Sequence, residues 1–322
     1  MLSFTSSVLI PSFRRPEHLR RCLLSLATQT QLPDEVIVVW QADDTPTRNV
    51  AQSLVSSLPY VLRVLHCAEA GVVSAENLAL EAASSDIILL CDDDVIAPET
   101  WVARHLSFYT DATVGAVGGS ANNHYPDCSS FPKRSVEPIG RLTWYGKSYG
   151  NMYDQIEAWT VREAIDCDHL VGYNMSLRRT ALDRFEPALK PYWQQFELDA
   201  CLQVKARGYR VLFDFANVVA HYPTNKAYCG GRDGDLQVKV FNACYNQSFI
   251  LAKHSPAYLQ FWRLIYLFLI GSVNAPGLIA SLRAIQLYRN PHQELRILQS
   301  AWKQRIAGWK AGLQARELRS NL

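Results

Sequence analysis

The sequence lacks a charge imbalance. Its 32 Lys and Arg stand against 30 Asp and Glu, a formal net charge of +2. That excludes the global basic field by which proteins gather on nucleic acid, and no nucleic-acid partner is expected. Paired cysteines are missing as well. The eight Cys (22, 67, 91, 128, 167, 201, 229 and 244) are scattered and none forms a Cys-x-x-Cys spacing, which argues against a zinc knuckle. Several lie inside apolar runs, where a free Cys behaves as a small hydrophobe, and a reducing cytosol is the simplest home for them. The N-terminus has no basic segment and its apolar stretch is broken at Pro11, so no signal peptide is expected. There is no internal repeat and no low-complexity tract.

What is present is apolar substance: 48% of the 322 residues are hydrophobic, enough for one large domain or two small ones. The first half alternates strand and helix. Ser7-Val8-Leu9-Ile10, Glu35 to Trp40, Val61 to Leu65 and Ile87 to Leu90 read as strands. Helices are expected from Pro16, with Leu19, Leu23, Leu24 and Leu26 on one side, over 45–57, and from Ser74 to Ala83. This order implies a parallel sheet with right-handed crossovers. Val114 to Gly119 is a further strand, and 120–160 reads as a long loop region, a feature that is usually functional. A helix is expected over Glu197 to Arg207, stopped by Gly208, then short strands at Tyr209 to Phe213 and Val218 to His221. From Leu264 to Leu282 no residue is charged. That run meets the rough length of a membrane span, about 20 residues. It reads equally as a buried helical hairpin bent at Asn274-Ala275-Pro276-Gly277. The basic tail from Arg283 onward suits an anionic membrane surface or an ordinary solvated helix face.

The most informative motif is Asp92-Asp93-Asp94, which follows the apolar run Ile87-Ile88-Leu89-Leu90-Cys91. In an open α/β sheet the carboxyl ends of the strands face the ligand crevice. Adjacent carboxylates repel, and a hard divalent ion, Mg²⁺ or Mn²⁺, relieves that cost while keeping open positions for phosphate oxygens. The alternative is a solvated acidic turn ahead of a helix that starts at Pro98-Glu99. Further along, Arg232 lies in the glycine-rich stretch Gly230 to Gly234, which reads as a loop closing over a diphosphate or as a plain turn. Tyr125, Trp144, Tyr145, Tyr149 and Trp159 suit either stacking on sugar rings or ordinary packing.

Several segments, taken in order, resemble one family. Val8-Leu9-Ile10-Pro11-Ser12-Phe13-Arg14-Arg15, then Leu19, Cys22-Leu23, Ser25-Leu26 and Gln29, resemble the opening of family 2 glycosyltransferases. Ala75-Glu76-Asn77 after Gly71 resembles the family's Gly-x(2–3)-Ala-x-Asn helix start, and Asp92-Asp93-Asp94 its DxD element. Gly172-Tyr173-Asn174-Met175-Ser176-Leu177-Arg178, Phe196-Glu197-Leu198-Asp199 with Gly208-Tyr209-Arg210, and Val218-Val219-Ala220-His221 resemble its later segments. The likeness covers roughly residues 5 to 225, and each element alone is weak. It implies an α/β fold, the mostly parallel, Rossmann-like sheet of an A-type glycosyltransferase. A C-terminal helical extension is expected to follow, with 1–225 as catalytic domain and 226–322 as helical region.

The resemblance further implies a nucleotide-sugar donor, a divalent metal (Mg²⁺ or Mn²⁺) and a glycan or lipid-linked acceptor. Asp94 is the expected metal ligand with His221 as the second, and Asp92 accepts from ribose hydroxyls, with Asp93 between the two. Pro11, Ser12, Arg14, Asn77 and Arg232 are expected on the donor side. Gly172, Tyr173, Asn174, Asp168 and Trp193 are expected on the acceptor side. Two departures stand out. Where the family has a base-reading acid after the second strand, this chain has Gln41, and Asp43-Asp44 come late, so either the Gln41 amide or a bulged-in Asp43 reads the base. Where the family has a catalytic Asp, this chain has Glu197, with Asp199 as rival. At helical spacing those two point about 200° apart and do not share one role. The expected reaction is inverting, by direct displacement, with the enzyme in the cytoplasm, free or peripheral or monotopic at the inner face of the membrane. The alternatives are a nucleotidyltransferase-like enzyme, against which the glycine-free loop Ser12-Phe13-Arg14-Arg15 argues, and a non-catalytic nucleotide-sugar binding module.

Overall fold

Runs of Val, Ile and Leu bounded by Pro, Gly, Asp and Ser cannot stay in water, and here they pair. The computed structural model describes residues 4–124, 139–150, 163–191, 195–223, 235–272, 274–279, 281–282 and 291–320. The elements up to His221 are β1 (Ser6–Ser12), α1 (Pro16–Leu26), β2 (Glu35–Gln41), α2 (Thr45–Leu54), β3 (Val61–Cys67), α3 (Val72–Ala82), β4 (Ile87–Leu90), β5 (Val95–Ile96), α4 (Trp101–Ser107), β6 (Val114–Asn123), β7 (Arg141–Leu142), β8 (Ser148–Tyr149), β9 (Ile165–Asp166), β10 (Met175–Arg178), α5 (Phe196–Ala206) and β11 (Arg210–His221). The main sheet runs β3-β2-β1-β4-β10-β6-β11-β5, with β9 on β11.

The sheet is parallel across β3, β2, β1 and β4, as the alternation of strand and helix predicts, and again between β6 and β11. It is mixed elsewhere: β10 enters antiparallel between β4 and β6, with Ser176 opposite Leu89 and Val117. Val8, Leu9, Ile10 and Ile87 to Leu90 are fully buried because helices cover both faces. Each such side chain contributes about 1.5–3 kcal/mol on burial. Helix α1 presents Leu19, Cys22, Leu23 and Leu26 to this core. Leu24, expected on the same side, is instead exposed; one step past Leu23 turns it about 100° away. The two strands expected at 209–213 and 218–221 are one strand, β11, whose register shifts between Phe213 and Val218. Cys22, Cys67, Cys91, Cys167, Cys201 and Cys244 are buried free thiols, packed as small hydrophobes.

A polar hub ties β10, α4, β6 and β11 together. The Asn174 amide oxygen accepts from Trp101 Nε1 at 2.8 Å, and its nitrogen donates to the carbonyls of Ser120 (2.9 Å) and Asn217 (3.0 Å). His105 joins through Ser176 Oγ at 2.8 Å, and burial pushes its imidazole down to about 4, so it stays uncharged. A side chain at Gly119 would overlap the Asn217 carbonyl, which is why the strands close so tightly over Asn174. Asn174→Ala strands buried donors and acceptors at several places. A loss of about 2–4 kcal/mol in urea unfolding, with the slope unchanged, is the expected result.

The chain forms two units. The first comprises residues 1–141, 149–187 and 197–225. The second comprises 142–148, 188–196 and 226–322. In the second, α6 (Leu236–His254), α7 (Ala257–Ile265) and α8 (Pro291–Ser320) dominate. The close approach of α8 to α6 needs Gly308 and Gly312, where any side chain would strike the carbonyls of Tyr245 and Phe249. The uncharged run from Leu264 is not one helix. It ends α7, passes through a π turn (Tyr266–Ile270), and reverses at Gly271 (φ +70), which bridges to Pro276. The fully buried Arg305 closes that bend by donating to the Ala275 carbonyl at 2.5 Å and the Pro276 carbonyl at 3.3 Å. Among the described residues no helix is long and apolar enough to cross a membrane.

Candidate active site

The carboxyl ends of β1, β4 and β11 converge. β4 stops at Leu90 because Asp92-Asp93-Asp94 cannot enter the apolar layer, and the two-residue β5 then pairs antiparallel with the end of β11, setting His221 opposite Val95. The Tyr222 amide donates to the Asp94 carbonyl at 2.8 Å and locks this register. As a result Asp94 Oδ1 lies 3.1 Å from His221 Nε2. Ligand atoms of Asp92, Asp94 and His221 all fall within 4.8 Å of one another.

The chemistry of this set fits a divalent cation. His221 Nδ1 is held by Asn123 Oδ1 at 2.8 Å, which places its proton there and leaves Nε2 toward Asp94. Nitrogen and carboxylate oxygen can share that short contact only around a proton or a cation. Two carboxylate oxygens and an imidazole nitrogen are ligands that Mn²⁺ accepts, and Tyr173 stacks on the imidazole at 4.8 Å to fix its plane. Asp93 is fully buried. Burial pushes its carboxyl up to about 7, opposed by the Arg15 charge and assisted by Asp94. Ser12 Oγ donates to Asp93 Oδ2 at 2.6 Å. Burial alone would raise Asp94 also, but His221 and Arg15 hold it below the usual carboxylate range.

Glu197 stands in the first turn of α5. Its Oε1 accepts a long hydrogen bond from the Gly172 amide at 3.4 Å. Burial pushes its carboxyl up to about 7, and the negative charge of Asp92 adds to that. Asp199 is fully buried and accepts from Gln203 Nε2 at 2.6 Å. Of the two rivals, Glu197 therefore shares an environment with Asp92, and Asp199 belongs to the core.

Several of the expected contact residues bind the protein's own backbone or side chains. Asn77 on α3 clamps Phe185, accepting from its amide at 2.8 Å and donating to its carbonyl at 3.0 Å, so its amide is spent away from a donor. Asn174 is the buried hub described above. Gln41 is buried, accepts from the Gly71 amide at 2.7 Å and reaches the Ser12 carbonyl at 3.4 Å. Asp43 is the open acid of that loop. It is brought out by a left-handed turn at Ala42 (φ +53) and pairs with Arg14 Nη2 at 3.8 Å. Pro11 is buried within β1 beside Val39. Asp168 is paired with Lys205. Gly172 and Tyr173 form the buried 3-10 turn that contacts Glu197 and His221. Trp193 and Arg232, with the loop Gly230 to Gly234, lie outside the described residues, as do Tyr125 and Trp159.

Sequence reasoning missed Arg15, Asn123 and Glu76 as members of this site. Glu76, on α3, is 3% exposed, and its Oε2 accepts no hydrogen bond. Burial raises its carboxyl well above the ordinary value, with Asp92 and Glu197 adding to the shift. It is a buried carboxyl whose acidity is weakened by burial and by the neighbouring Asp92 and Glu197. Only its place one residue before Asn77 pointed to it.

Comparison with known proteins agrees with this geometry. The family model described as "Glycosyl transferase family 2" matches residues 7–184. The glycosyltransferase AglE of Haloferax volcanii is 25% identical over 130 residues, 40% of this chain and 43% of that protein. The chondroitin synthase of Pasteurella multocida is 25% identical over 189 residues, 56% of this chain and 19% of that protein. The chain thus spans less than half the length of these relatives. The mannosyltransferase PcManGT from Pyrobaculum calidifontis, solved with GDP-Man and Mn²⁺, superposes with a TM-score of 0.60 at 18% identity, covering 99% of this chain and 87% of that one. Staphylococcus aureus TarS 1–349 superposes with a TM-score of 0.56 at 13% identity, covering 99% and 92%. At such identities the structural likeness speaks for the fold, while the family model covers more than half of the chain, and the chain belongs to glycosyltransferase family 2.

Proposed function

We propose that this chain is an inverting, metal-dependent glycosyltransferase that moves a sugar from a nucleoside-diphosphate sugar to an acceptor hydroxyl in glycan or glycolipid synthesis. Residues 1–225 form the catalytic part and 226–322 a helical extension. The observation that carries the reading is Glu197, a carboxyl raised to about 7, in the same charge environment as the Asp92, Asp94 and His221 cluster. Asp92, Asp94 and His221 would hold Mn²⁺ or Mg²⁺, which when bound supplies charge stabilisation to the departing diphosphate. Asp43 and Arg14 flank the nucleoside end. Glu197 takes the proton of the acceptor hydroxyl as that oxygen attacks the anomeric carbon, and no covalent sugar–enzyme intermediate is needed. A panel of nucleotide sugars, with and without Mn²⁺, tests this by thermal shift and product formation. A cognate donor raises the melting temperature by mass action. Binding without turnover across diverse acceptors would leave a binding module instead.

The pH dependence follows with its sign. Glu197 works deprotonated, so kcat/KM rises with pH through about 7 and levels above it. Because the folded value is raised, the native state holds this proton more tightly than the unfolded chain. The stability that the proton contributes is present at acid pH and is lost as pH rises through about 7. Asp93 titrates in the same region, so the profile is compared with that of Glu197→Gln, which removes the Glu197 limb alone.

The same reading extends to a lipid-linked or membrane-proximal acceptor, met from the cytoplasmic side by peripheral contact. Tyr258, Phe261 and Trp262 are exposed on one side of α7, and Leu269 and Ile270 follow in the π turn. α8 exposes Arg296, Lys303 and Lys310 at seven-residue spacing, one helical face. Exposed aromatic side chains and a row of basic ones are each of the kind that suits an anionic interface. Full-length protein is expected to co-sediment with vesicles containing phosphatidylserine, less so at high salt, and Phe261→Ser with Trp262→Ser to reduce this at least several-fold. Protein that stays in the supernatant with those vesicles at low salt would remove the membrane from the reading.

A further inference from the structure

Arg15 lies against two of the three adjacent acids. Its Nε is 3.1 Å from Asp93 Oδ1 and its Nη1 is 2.5 Å from Asp94 Oδ2. Backbone geometry puts it there: Arg14 takes a left-handed turn (φ +58), and Arg15, at the start of α1, is non-helical with φ −135 and ψ 54. Asp93 is completely buried and Asp94 nearly so, while the Arg15 side chain keeps 27% of its surface open. Asp94 thus faces two claims, one from this guanidinium on Oδ2 and one from the ligand set it forms with Asp92 and His221.

We propose that Arg15 is the internal counter-cation of the Asp93–Asp94 pair and competes with the divalent ion for that charge. The donor diphosphate then resolves the competition by giving the guanidinium a second anion, so that metal and donor load together. The proposal rests on the metal reading of Asp92, Asp94 and His221. Its physical basis is charge and geometry. A guanidinium within hydrogen-bond reach of Asp94 repels a divalent cation bound to that same carboxylate, and little water is present to screen the repulsion. A diphosphate adds negative charge that balances both cations, and the planar guanidinium fork suits phosphate oxygens as it suits carboxylates. A salt bridge that served only the fold would make no distinction between these two loading steps.

The test is Mn²⁺ binding to the full chain, by electron paramagnetic resonance, in wild type, Arg15→Gln and Arg15→Lys, alone and with UDP or GDP. Arg15→Gln is expected to bind Mn²⁺ alone about tenfold more tightly, since the competing charge is gone. Its Mn²⁺-dependent binding of the nucleoside diphosphate should be about tenfold weaker, both within the usual range of coupling between sites. Arg15→Lys keeps the charge without the fork and should lie between. Shifts of the same sign in both steps, or no shift in either, overturn the proposal while leaving the metal reading standing. Wild type that is folded yet binds no Mn²⁺, with or without either nucleotide, overturns the metal reading and the proposal with it. If Arg15→Gln melts below the assay temperature, Arg15→Met, which also removes the charge and keeps the apolar stem, carries the comparison: an unshifted or weakened Mn²⁺ affinity there refutes competition.

Discussion

Glu197→Gln should leave donor affinity near that of the wild type while the chemical step falls by roughly 10²–10⁴, the usual contribution of a general base. The substitution keeps the shape of the side chain and its long contact with the Gly172 amide, and removes only the basicity. The position favours this role through opposed effects. A helix start stabilises the ionised form, and burial with Asp92 nearby raises the carboxyl to about 7, where it is a stronger base of which about half is ionised at neutral pH. Single-turnover rates measured with saturating donor and Mn²⁺ separate the chemical step from binding. Asp199→Asn serves as the contrast. Asp199 is fully buried and bonded to Gln203, so its loss should act on unfolding free energy, by about 1–3 kcal/mol, and much less on the chemical step. Should Asp199→Asn cost the larger share of kcat in a folded enzyme, the base has been placed two residues too early.

The parts of this site that the sequence disclosed are those written in local pattern. Apolar runs closed by turn residues showed β1 to β4, because a buried parallel strand needs hydrophobic side chains on both faces. Asp92-Asp93-Asp94 announced itself by the cost of adjacent carboxylates. What stayed hidden depends on distant pairing. β10 looks like any short strand, and nothing in Met175 to Arg178 says that it will insert antiparallel between β4 and β6. β5 is two residues long, below any periodic signal, yet its pairing with β11 is what delivers His221 to Asp94. Asn77 and Asn174 were read as ligand contacts because polar residues in motifs suggest ligands. In the fold the same amides bind backbone groups, Asn77 those of Phe185 and Asn174 those of Ser120 and Asn217, and that depends on pairing between segments distant in sequence. Arg15 was visible only as the second of two adjacent arginines. The left-handed turn at Arg14 decides which of them faces the acids.

Asp94→Ala should abolish the Mn²⁺-dependent part of donor binding and lower turnover by roughly 10³ or more. Lewis-acid stabilisation of a leaving diphosphate amounts to several kcal/mol, and each 1.36 kcal/mol is tenfold in rate. Asp94 is the sensitive position because its carboxylate does three things. It belongs to the ligand set with Asp92 and His221, it meets His221 Nε2 at 3.1 Å, and it balances Arg15 at 2.5 Å. The fold should survive, since Arg15 retains Asp93 at 3.1 Å and the Asp94 carbonyl, which holds the Tyr222 amide, is untouched. Asp94→Asn keeps the volume and should lose nearly as much, because a neutral amide oxygen is a poor substitute for an anionic ligand. His221→Ala should weaken the metal dependence less completely, with both carboxylates and the diphosphate still present. Isothermal titration of Mn²⁺ in the presence of donor, alongside turnover with and without EDTA, reads all three variants. Activity that survives both EDTA and Asp94→Ala would remove the metal from this site and leave Asp92-Asp93-Asp94 as an anionic wall whose partner is Arg15.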